Sequence, residues 1–419
     1  MIVLVALLAF YLAWNLGAND VANSMGTSVG SKAVTLRQAL IIAGILEFTG
    51  AVLFGRAVSQ TLATDIANPT LFADSPQTLA IGMVSVLIAC GLWLQIATSF
   101  GLPVSSSHGV VGAIAGFSWL AAGINAVDWS SIGTITIGWL LTPVVSGSIA
   151  AFFYTIVKRS ILDRPDPIAQ LREWIPWLSA ALLSVFGIIV LPTLSEPVQA
   201  FLANQWGITL PTHDIPLATG AIAAVSLSVV SWRQLENGNR EKSNRFPNLV
   251  ERQLGRFQVL SACFVAFAHG SNDVGNAIAP LAAIAYINRT GSVPLADFSI
   301  PLWILILGGL GIVAGLAVWG KNVIATVGEN IIPLKPSGGF CAELATATTV
   351  LLASRLGLPV STSHALVGGV VGIGLVQNWQ SIRLSTIRGI LGAWVITIPI
   401  TAGLSAIMFT IARLLLAQL

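Results

Sequence analysis

Two short polar motifs contain the residues that could do chemistry, and each motif occurs twice in the chain. The first, Gly-(Ala/Ser)-Asn-Asp-Val-(Ala/Gly)-Asn, spans residues 17–23 and returns at 270–276. The second, Gly-Leu-Pro-Val-Ser-(Ser/Thr)-Ser-His, spans residues 101–108 and returns at 357–364. We call them the Asn-Asp motif and the Ser motif. Because both recur at nearly the same offset, they indicate an internal duplication.

The Asn-Asp motif supplies carboxylate and amide oxygens, which suit an alkali cation, whereas soft metals prefer cysteine or clustered histidine. The predicted cation ligands are Asn19, Asp20, Asn272 and Asp273, with the alkali cation held at the two aspartates. The glycine that opens each motif is expected to break a helix there and to free backbone carbonyls.

Two further carboxylates, Glu47 and Glu343, fall within apolar stretches. A carboxylate at membrane depth is costly and by default marks an ion or substrate pathway. We therefore predict that both bind cations. The alternative is a carboxylate paired with a neighbour purely for packing.

The Ser motif has the pattern of a helix start. Pro103 and Pro359 disfavour helix at the residue before them and favour a new helix soon after. A helix N-terminus presents unpaired N–H groups and a positive dipole end, so it can bind an anion. The predicted anion ligands are Asn23, Asn276, Ser105, Ser106, Ser107, Ser361, Thr362 and Ser363. The alternative is an ordinary capped turn between two membrane helices.

Three histidines lie beside these motifs. His108 and His364 follow the two serine runs, and both a proton relay and a hydrogen-bonded structural role are open for them. His269 directly precedes the second Asn-Asp motif and has no counterpart in the first copy, where Leu16 stands.

The composition excludes a soluble globular protein. Apolar residues make up 55% of the chain and charged residues only 9%, whereas soluble proteins carry roughly 25% charged residues. The predicted fold class is an all-α polytopic membrane protein with broken or re-entrant helices. At ~20 apolar residues per span, there are about twelve hydrophobic segments: 1–18, 37–60, 78–99, 105–124, 132–157, 175–193, 215–231, 257–285, 301–320, 338–355, 361–378 and 386–416.

The basic residues predict the orientation in the membrane. Most of them fall in loops that share one side, above all the loop after the fifth segment and the loop 232–256. The positive-inside rule makes that side cytoplasmic and places the N-terminus outside. The two copies then enter the membrane from opposite sides, which predicts inverted repeats. The predicted units are a first repeat at 1–157, two linking helices with a basic cytoplasmic loop at 158–256, and a second repeat at 257–419.

Two enzyme-like patterns do not fit their context. Residues 26–30 match G-x-S-x-G, but they follow a membrane segment and not a strand. Residues 315–322 resemble a P-loop, yet Asn322 stands where Ser or Thr would bind magnesium. We therefore predict that the chain is not an enzyme, needs no cofactor and binds no nucleic acid.

At this point the sequence resembles a known family. The stretches GANDVANSMGTSVGSKAVT and GSNDVGNAIAPL, each followed by GLPVS(S/T)SH, look like the inorganic phosphate transporter (PiT) family over nearly the whole chain. The resemblance implies symport of phosphate with sodium or protons through an inverted-repeat fold. It also implies that the paired Asn-Asp motifs form ion and phosphate sites, and that Glu47 and Glu343 match positions needed for transport. Gly275, where alanine is commoner, and Ser107, where threonine is commoner, depart from the family pattern.

These observations predict a secondary active symporter that imports phosphate with sodium or protons. The protein is expected to be a multi-pass protein of the cell (inner or plasma) membrane. A sulfate permease of the same fold and a passive anion channel are the alternatives. Membrane transporters of this size often dimerise, so a homodimer is one candidate assembly.

Overall fold

The computed structural model describes residues 2–206, 209, 211–238, 248–295, 298–327 and 331–416. In these ranges the regular secondary structure is helical, the helices are joined by turns and short extended segments, and one isolated antiparallel bridge links Ala67 and Val127. The α-helices are α1 Ile2–Gly30, α2 Leu36–Phe54, α3 Arg56–Thr64, α4 Pro76–Ser99, α5 Ser106–Ala122, α6 Trp129–Val157, α7 Pro167–Ile189, α8 Leu191–Trp206, α9 Asp214–Gly238, α10 Leu249–Thr290, α11 Leu302–Val327, α12 Pro336–Arg355, α13 Thr362–Gln377 and α14 Leu384–Leu416.

Eight of the described helices are long and apolar enough to cross a membrane: α1, α2, α4, α6, α7, α9, α11 and α14. The chain is therefore a multi-pass, all-helical membrane protein. Each of the twelve predicted segments lies mainly on helix, but a count of twelve spans is not confirmed. Helices α5, α10, α12 and α13 are outside the eight, and all four carry motif residues or buried polar side chains.

Three stretches differ from the predicted segments. The segment 37–60 is divided at Gly55 into α2 and α3. Helix α8 lies where a loop was expected. The predicted linker 232–256 is helical at both ends, because α9 continues to Gly238 and α10 begins at Leu249, while residues 239–247 lie outside the described part. The polar Arg, Gln and Glu residues at these ends favour helix as well as solvent, so their polarity alone did not indicate a loop.

The prediction that Gly17 and Gly270 break their helices is wrong. Helix α1 runs continuously through the first Asn-Asp motif, and α10 runs through the second. A β-carbon at Gly17 would overlap the backbone of Ile312 in α11, and one at Gly270 would overlap the backbone of Glu47 in α2. These glycines are therefore needed for close helix crossings and not for a break.

The Ser motif forms the predicted turn between two helices in both copies. Helix α4 ends in a Schellman motif, in which Gly101 has φ +64° and Leu102 N–H donates to Ala97 O at 2.9 Å. Gly357, with φ +68°, closes α12 in the same way. A left-handed residue at this position favours glycine, and the following proline prevents the helix from continuing. The chain then turns back to start α5 or α13.

Helices from the two halves pack on each other. Helix α1 packs most extensively against α11, and α10 packs against α12 and α2. Helix α13 packs on α6, and α5 packs on α14. One large apolar cluster surrounds α1, α2, α4, α5, α10 and α11, and a second surrounds α6, α7, α12 and α13. The polar motif residues lie where these helices meet.

Candidate functional site

The two Asn-Asp motifs meet in the interior of the protein. Asp20 on α1, and His269 and Asp273 on α10, each place a ligand atom within 4.8 Å of the other two. The three side chains are at most 2% exposed. Helices α1 and α10 also pack directly against each other. Residues 253 positions apart in the sequence, Asp20 and Asp273, therefore form one buried acidic pair.

The first asparagine of each motif ties its helix to the Ser-motif turn of the same half. Asn19 Nδ2 donates to Thr98 Oγ1 at 2.9 Å and to the carbonyl of Leu102 at 3.3 Å. Asn272 Nδ2 donates to Ser354 Oγ at 3.0 Å and to the carbonyl of Leu358 at 3.1 Å. The same contacts are thus made twice, as the duplicated sequence predicts.

Several oxygens of this site are buried and meet no hydrogen-bond donor among the described residues. They are Asn19 Oδ1, Asp20 Oδ2, Asn272 Oδ1, Asp273 Oδ1 and Asn276 Oδ1. A buried polar atom without a partner costs about 1–3 kcal/mol, so such groups are rare without a ligand or a functional reason. All of these atoms are acceptors, and carboxylate and amide oxygens are the ligands that hard cations prefer.

The N-termini of α5 and α13 reach the same region. Ser105 is the N-cap of α5, and its hydroxyl accepts from His108 N; Ser361 caps α13 in the same way and accepts from His364 N. The backbone N–H groups of the two residues that follow each cap, Ser106 and Ser107 in α5 and Thr362 and Ser363 in α13, have no carbonyl within their own helix. Two positive helix ends therefore face the buried acidic region.

Direct hydrogen bonds connect these helix ends to the second Asn-Asp motif. Thr362 Oγ1 donates to Asp273 Oδ2 at 2.9 Å. Asn276 Nδ2 donates to the hydroxyls of Ser106 and Ser107, each at 3.2 Å. The structure thus brings the serine and threonine residues of both Ser motifs and the cation ligands of the Asn-Asp motifs into one buried cluster.

The remaining predicted anion ligands have partners at the same place. Asn23 Nδ2 donates to Asp20 Oδ1 at 3.1 Å, one turn along α1. Ser107 donates to the carbonyl of Val360 at 2.9 Å, and the hydroxyls of Ser361 and Ser363 are 2.8 Å apart. The Ser107–Val360 contact holds the start of α5 against the turn that leads into α13.

His269 is the residue whose role the sequence did not indicate. Its Nε2 lies 2.9 Å from Asp273 Oδ2, and its Nδ1 lies 3.1 Å from Glu47 Oε2. Ser24 donates to the other oxygen of Glu47 at 2.7 Å. The i, i+4 spacing of His269 and Asp273 on one helix was the available signal, since such residues lie on the same face.

Comparisons with known proteins support one family. A sequence model described as the phosphate transporter family matches residues 16–405. This chain belongs to the phosphate transporter family. It is 40% identical over 408 residues to a protein of Haemophilus influenzae named as a putative phosphate permease, covering 97% of this chain and 96% of that one. It is 40% identical to the chloroplastic inorganic phosphate transporter 2-1 of Arabidopsis thaliana, covering 96% of this chain and 70% of that one.

A solved structure supports the same fold for this phosphate transporter family member. That protein is named the sodium-dependent phosphate transporter and is 36% identical in sequence. The two structures align with a TM-score of 0.84 over 99% of each chain.

Glu343 of this family member lies in a second polar cluster. Its Oε1 accepts from Thr27 and Ser28 at 2.7 Å and from Gln258 at 3.0 Å, and its Oε2 accepts from Ser261 at 2.8 Å. The donors come from the C-terminal end of α1 and the N-terminal part of α10. Glu47 therefore joins the acidic pair through His269, whereas Glu343 has its own set of partners.

The two Ser-motif histidines form a compact group with two tryptophans. His108 Nδ1 lies 3.2 Å from the carbonyl oxygen of Trp394, and His364 Nδ1 lies 3.0 Å from that of Trp139. The His364 ring stacks on Trp394 with centroids 3.6 Å apart, and the two imidazole rings are 4.8 Å apart. Both histidines are 5% exposed.

Proposed function

We propose that this family member is a secondary active symporter that imports inorganic phosphate together with sodium. The observation that carries the proposal is the set of buried acceptor oxygens beside two helix N-termini. The acceptors suit a cation and the helix ends suit an oxyanion, and both are within one cluster. The likeness to a structure named as a sodium-dependent phosphate transporter favours sodium over protons.

In this proposal Asp20 and Asp273 hold sodium, assisted by the side-chain oxygens of Asn19 and Asn272. Glu47 supports this site through His269. Glu343 would hold a cation in its separate cluster, with the hydroxyls that now donate to it. The proposed phosphate ligands are Asn23, Asn276, Ser105, Ser106, Ser107, Ser361, Thr362 and Ser363.

Coupling would follow from electrostatics at low dielectric. Phosphate and two carboxylates carry the same sign of charge, and a buried charge is stable only when it is paired. Sodium bound at the carboxylates would offset their repulsion of the anion. Each ligand would therefore bind more tightly when the other is present, and this mutual dependence is the basis of symport.

The proposal includes inverted repeats, with units 1–157, 158–256 and 257–419 and the N-terminus outside. Contacts between loops agree with the predicted sides. Asn68 N–H donates to Ala126 O at 2.8 Å, joining two loops predicted to lie outside. Arg383 N–H donates to Ile331 O at 3.1 Å, joining two loops predicted to lie inside. The similar contacts that Asn19 and Asn272 make with the two Ser-motif turns are the best support for the repeat itself.

Uptake of labelled phosphate into proteoliposomes would test the function. We expect accumulation against a phosphate gradient when an inward sodium gradient is imposed, and little accumulation with a proton gradient alone. If a proton gradient alone drove phosphate uptake at the same rate, the coupling ion would be the proton and not sodium. Equilibration without accumulation would indicate a passive channel, and stronger competition from sulfate than from unlabelled phosphate would indicate a sulfate permease.

The acidic pair can be tested with isosteric variants. Asp20→Asn and Asp273→Asn retain the shape of the side chain and remove its charge. We expect both to abolish sodium-driven phosphate uptake, because the cation loses its charged ligand, while the protein is still inserted in the membrane. Normal uptake by both variants would contradict the proposed sodium site.

A further inference from the structure

We propose that His108 and His364 are positioning residues that fix the two anion-binding helix starts to the proline-containing helices α6 and α14. The proposal rests on the proposed function, since it concerns how the phosphate site is held. Each histidine is the third residue of its helix, directly after the N–H groups that face the anion. A shift of either imidazole would therefore shift those N–H groups.

Proline chemistry explains why His364 has a backbone acceptor. Pro143 lies inside α6 and has no N–H, so the carbonyl of the residue four positions earlier loses its helical donor. That residue is Trp139, and its carbonyl oxygen is the one that His364 Nδ1 reaches at 3.0 Å. Because a carbonyl oxygen can only accept, His364 must carry its proton on Nδ1 in this contact.

The hydrogen bond is supported by further contacts between α13 and α6. The indole of Trp139 donates to the carbonyl of Pro359 at 2.9 Å, in the turn that leads into α13. A β-carbon at Gly368 on α13 would overlap the backbone of Pro143. The start of α13 is thus held by a reciprocal pair of hydrogen bonds, and its middle is held by a close helix crossing.

The first half shows a related arrangement with one difference. His108 on α5 reaches the carbonyl of Trp394 on α14, and Pro399 lies inside α14. The residue four positions before Pro399 is Val395, so Pro399 does not remove the helical donor of Trp394. Restoring an N–H at position 399 should consequently have no effect on the histidine contact, and this makes the first half a matched control.

Amide substitutions separate positioning from simple packing. Asn can place an N–H donor near the position of Nδ1, whereas Gln places one near Nε2. We expect His364→Asn to retain a KM for phosphate close to that of the wild type. We expect His364→Gln and His364→Leu to raise that KM by on the order of tenfold, as the loss of one buried hydrogen bond implies, with a smaller change in kcat.

A double variant tests the proline link. In Pro143→Ala the new N–H can donate to the Trp139 carbonyl, so that this oxygen no longer depends on His364. We therefore compare the drop in unfolding temperature caused by His364→Leu in two backgrounds. The drop should be smaller in the Pro143→Ala background than in the wild type. Pro399→Ala should give no such relief to His108→Leu.

The experiment is uptake of labelled phosphate by purified protein in proteoliposomes, with thermal unfolding in detergent measured in parallel. Wild-type protein is assayed first, and a failure of wild-type uptake would overturn the proposed function. With an active wild type, equal KM values for the Asn and Gln variants would overturn the positioning role. Equal relief by Pro143→Ala and Pro399→Ala would overturn the proline link.

Discussion

At the level of single side chains, the charge balance of the site depends on His269. This residue contacts Glu47 and Asp273 on its two ring nitrogens, and all three side chains are at most 1% exposed. Its counterpart in the first Asn-Asp motif is Leu16, so only the second half of the site has an ionisable side chain at this position. Removal of one partner from a buried ionic group costs far more than removal from an exposed one.

Replacement of His269 by leucine, the residue at the matching position of the first half, should affect both stability and transport. His269→Leu should lower the free energy of unfolding by about 3–5 kcal/mol, because Glu47 and Asp273 lose their shared partner. It should also abolish phosphate uptake. Thermal unfolding and uptake measure the two effects, and the double variant Glu47→Gln/His269→Leu should regain part of the stability. A wild-type unfolding temperature for His269→Leu would contradict this assignment.

The separate cluster at Glu343 leads to a second expectation at this scale. Glu343→Ala removes the acceptor shared by Thr27, Ser28 and Gln258 and should destabilise the protein by at least about 2 kcal/mol. Ser261 can still donate to the carbonyl of Gln258 at 2.9 Å. Glu343→Gln retains one acceptor oxygen and should cost less. Thermal unfolding distinguishes the two variants. Equal unfolding temperatures for the Ala and Gln variants would show that an acceptor oxygen at position 343 is not needed to satisfy Thr27, Ser28 and Gln258.

At the level of helices, close crossings set the geometry of the site. Gly17 and Gly270 lie where α1 and α10 cross helices of the other half, and neither position has room for a β-carbon. Gly101 and Gly357 instead end α4 and α12 with a positive φ. The glycines therefore have two roles: Gly17 and Gly270 allow close helix crossings, and Gly101 and Gly357 end helices. Only the helix ends depend on the backbone conformation of glycine.

A pair of alanine variants tests the crossings. Gly17→Ala should destabilise the protein by about 1–3 kcal/mol through overpacking against Ile312 and should reduce uptake, since Asn19 and Asp20 follow directly on the same helix. Gly138→Ala, on α6 at a position where a β-carbon meets nothing within 4 Å, should leave stability the same or slightly higher. Thermal unfolding compares the two. Equal tolerance would contradict the role of Gly17.

Much of this element-level structure could be predicted from the sequence. The Pro-Val-Ser pattern predicted the starts of α5 and α13 and their serine caps, because it combines local preferences that act within a few residues. The prediction of helix breaks at Gly17 and Gly270 was wrong because a glycine is compatible with both a broken helix and a close crossing. Which of the two forms depends on the helix packed against it. His269 was missed for the same reason: its partner Glu47 lies on another helix, more than two hundred residues away.

At the level of the whole molecule, the predicted orientation can be tested from outside the cell. Thr70 and Gln380 are both at least partly exposed but lie in loops predicted to face opposite sides. In a background with Cys90, Cys263 and Cys341 replaced by alanine, Thr70→Cys should react with a membrane-impermeant maleimide in intact cells. Gln380→Cys should react only after permeabilisation. The reverse pattern would invert the orientation and move the N-terminus inside.

The exchange of helix partners between the halves has a consequence for the origin of the chain. Helices α1 and α5 have their largest contacts with α11 and α14, and α13 packs on α6, so a half on its own would expose surfaces that only its counterpart covers. With the repeats inverted as proposed, an ancestor with one motif pair per polypeptide would have required two copies inserted in opposite directions and packed against each other. Fusion of two such copies into one gene would then allow them to diverge, as the difference between His269 and its counterpart Leu16 illustrates.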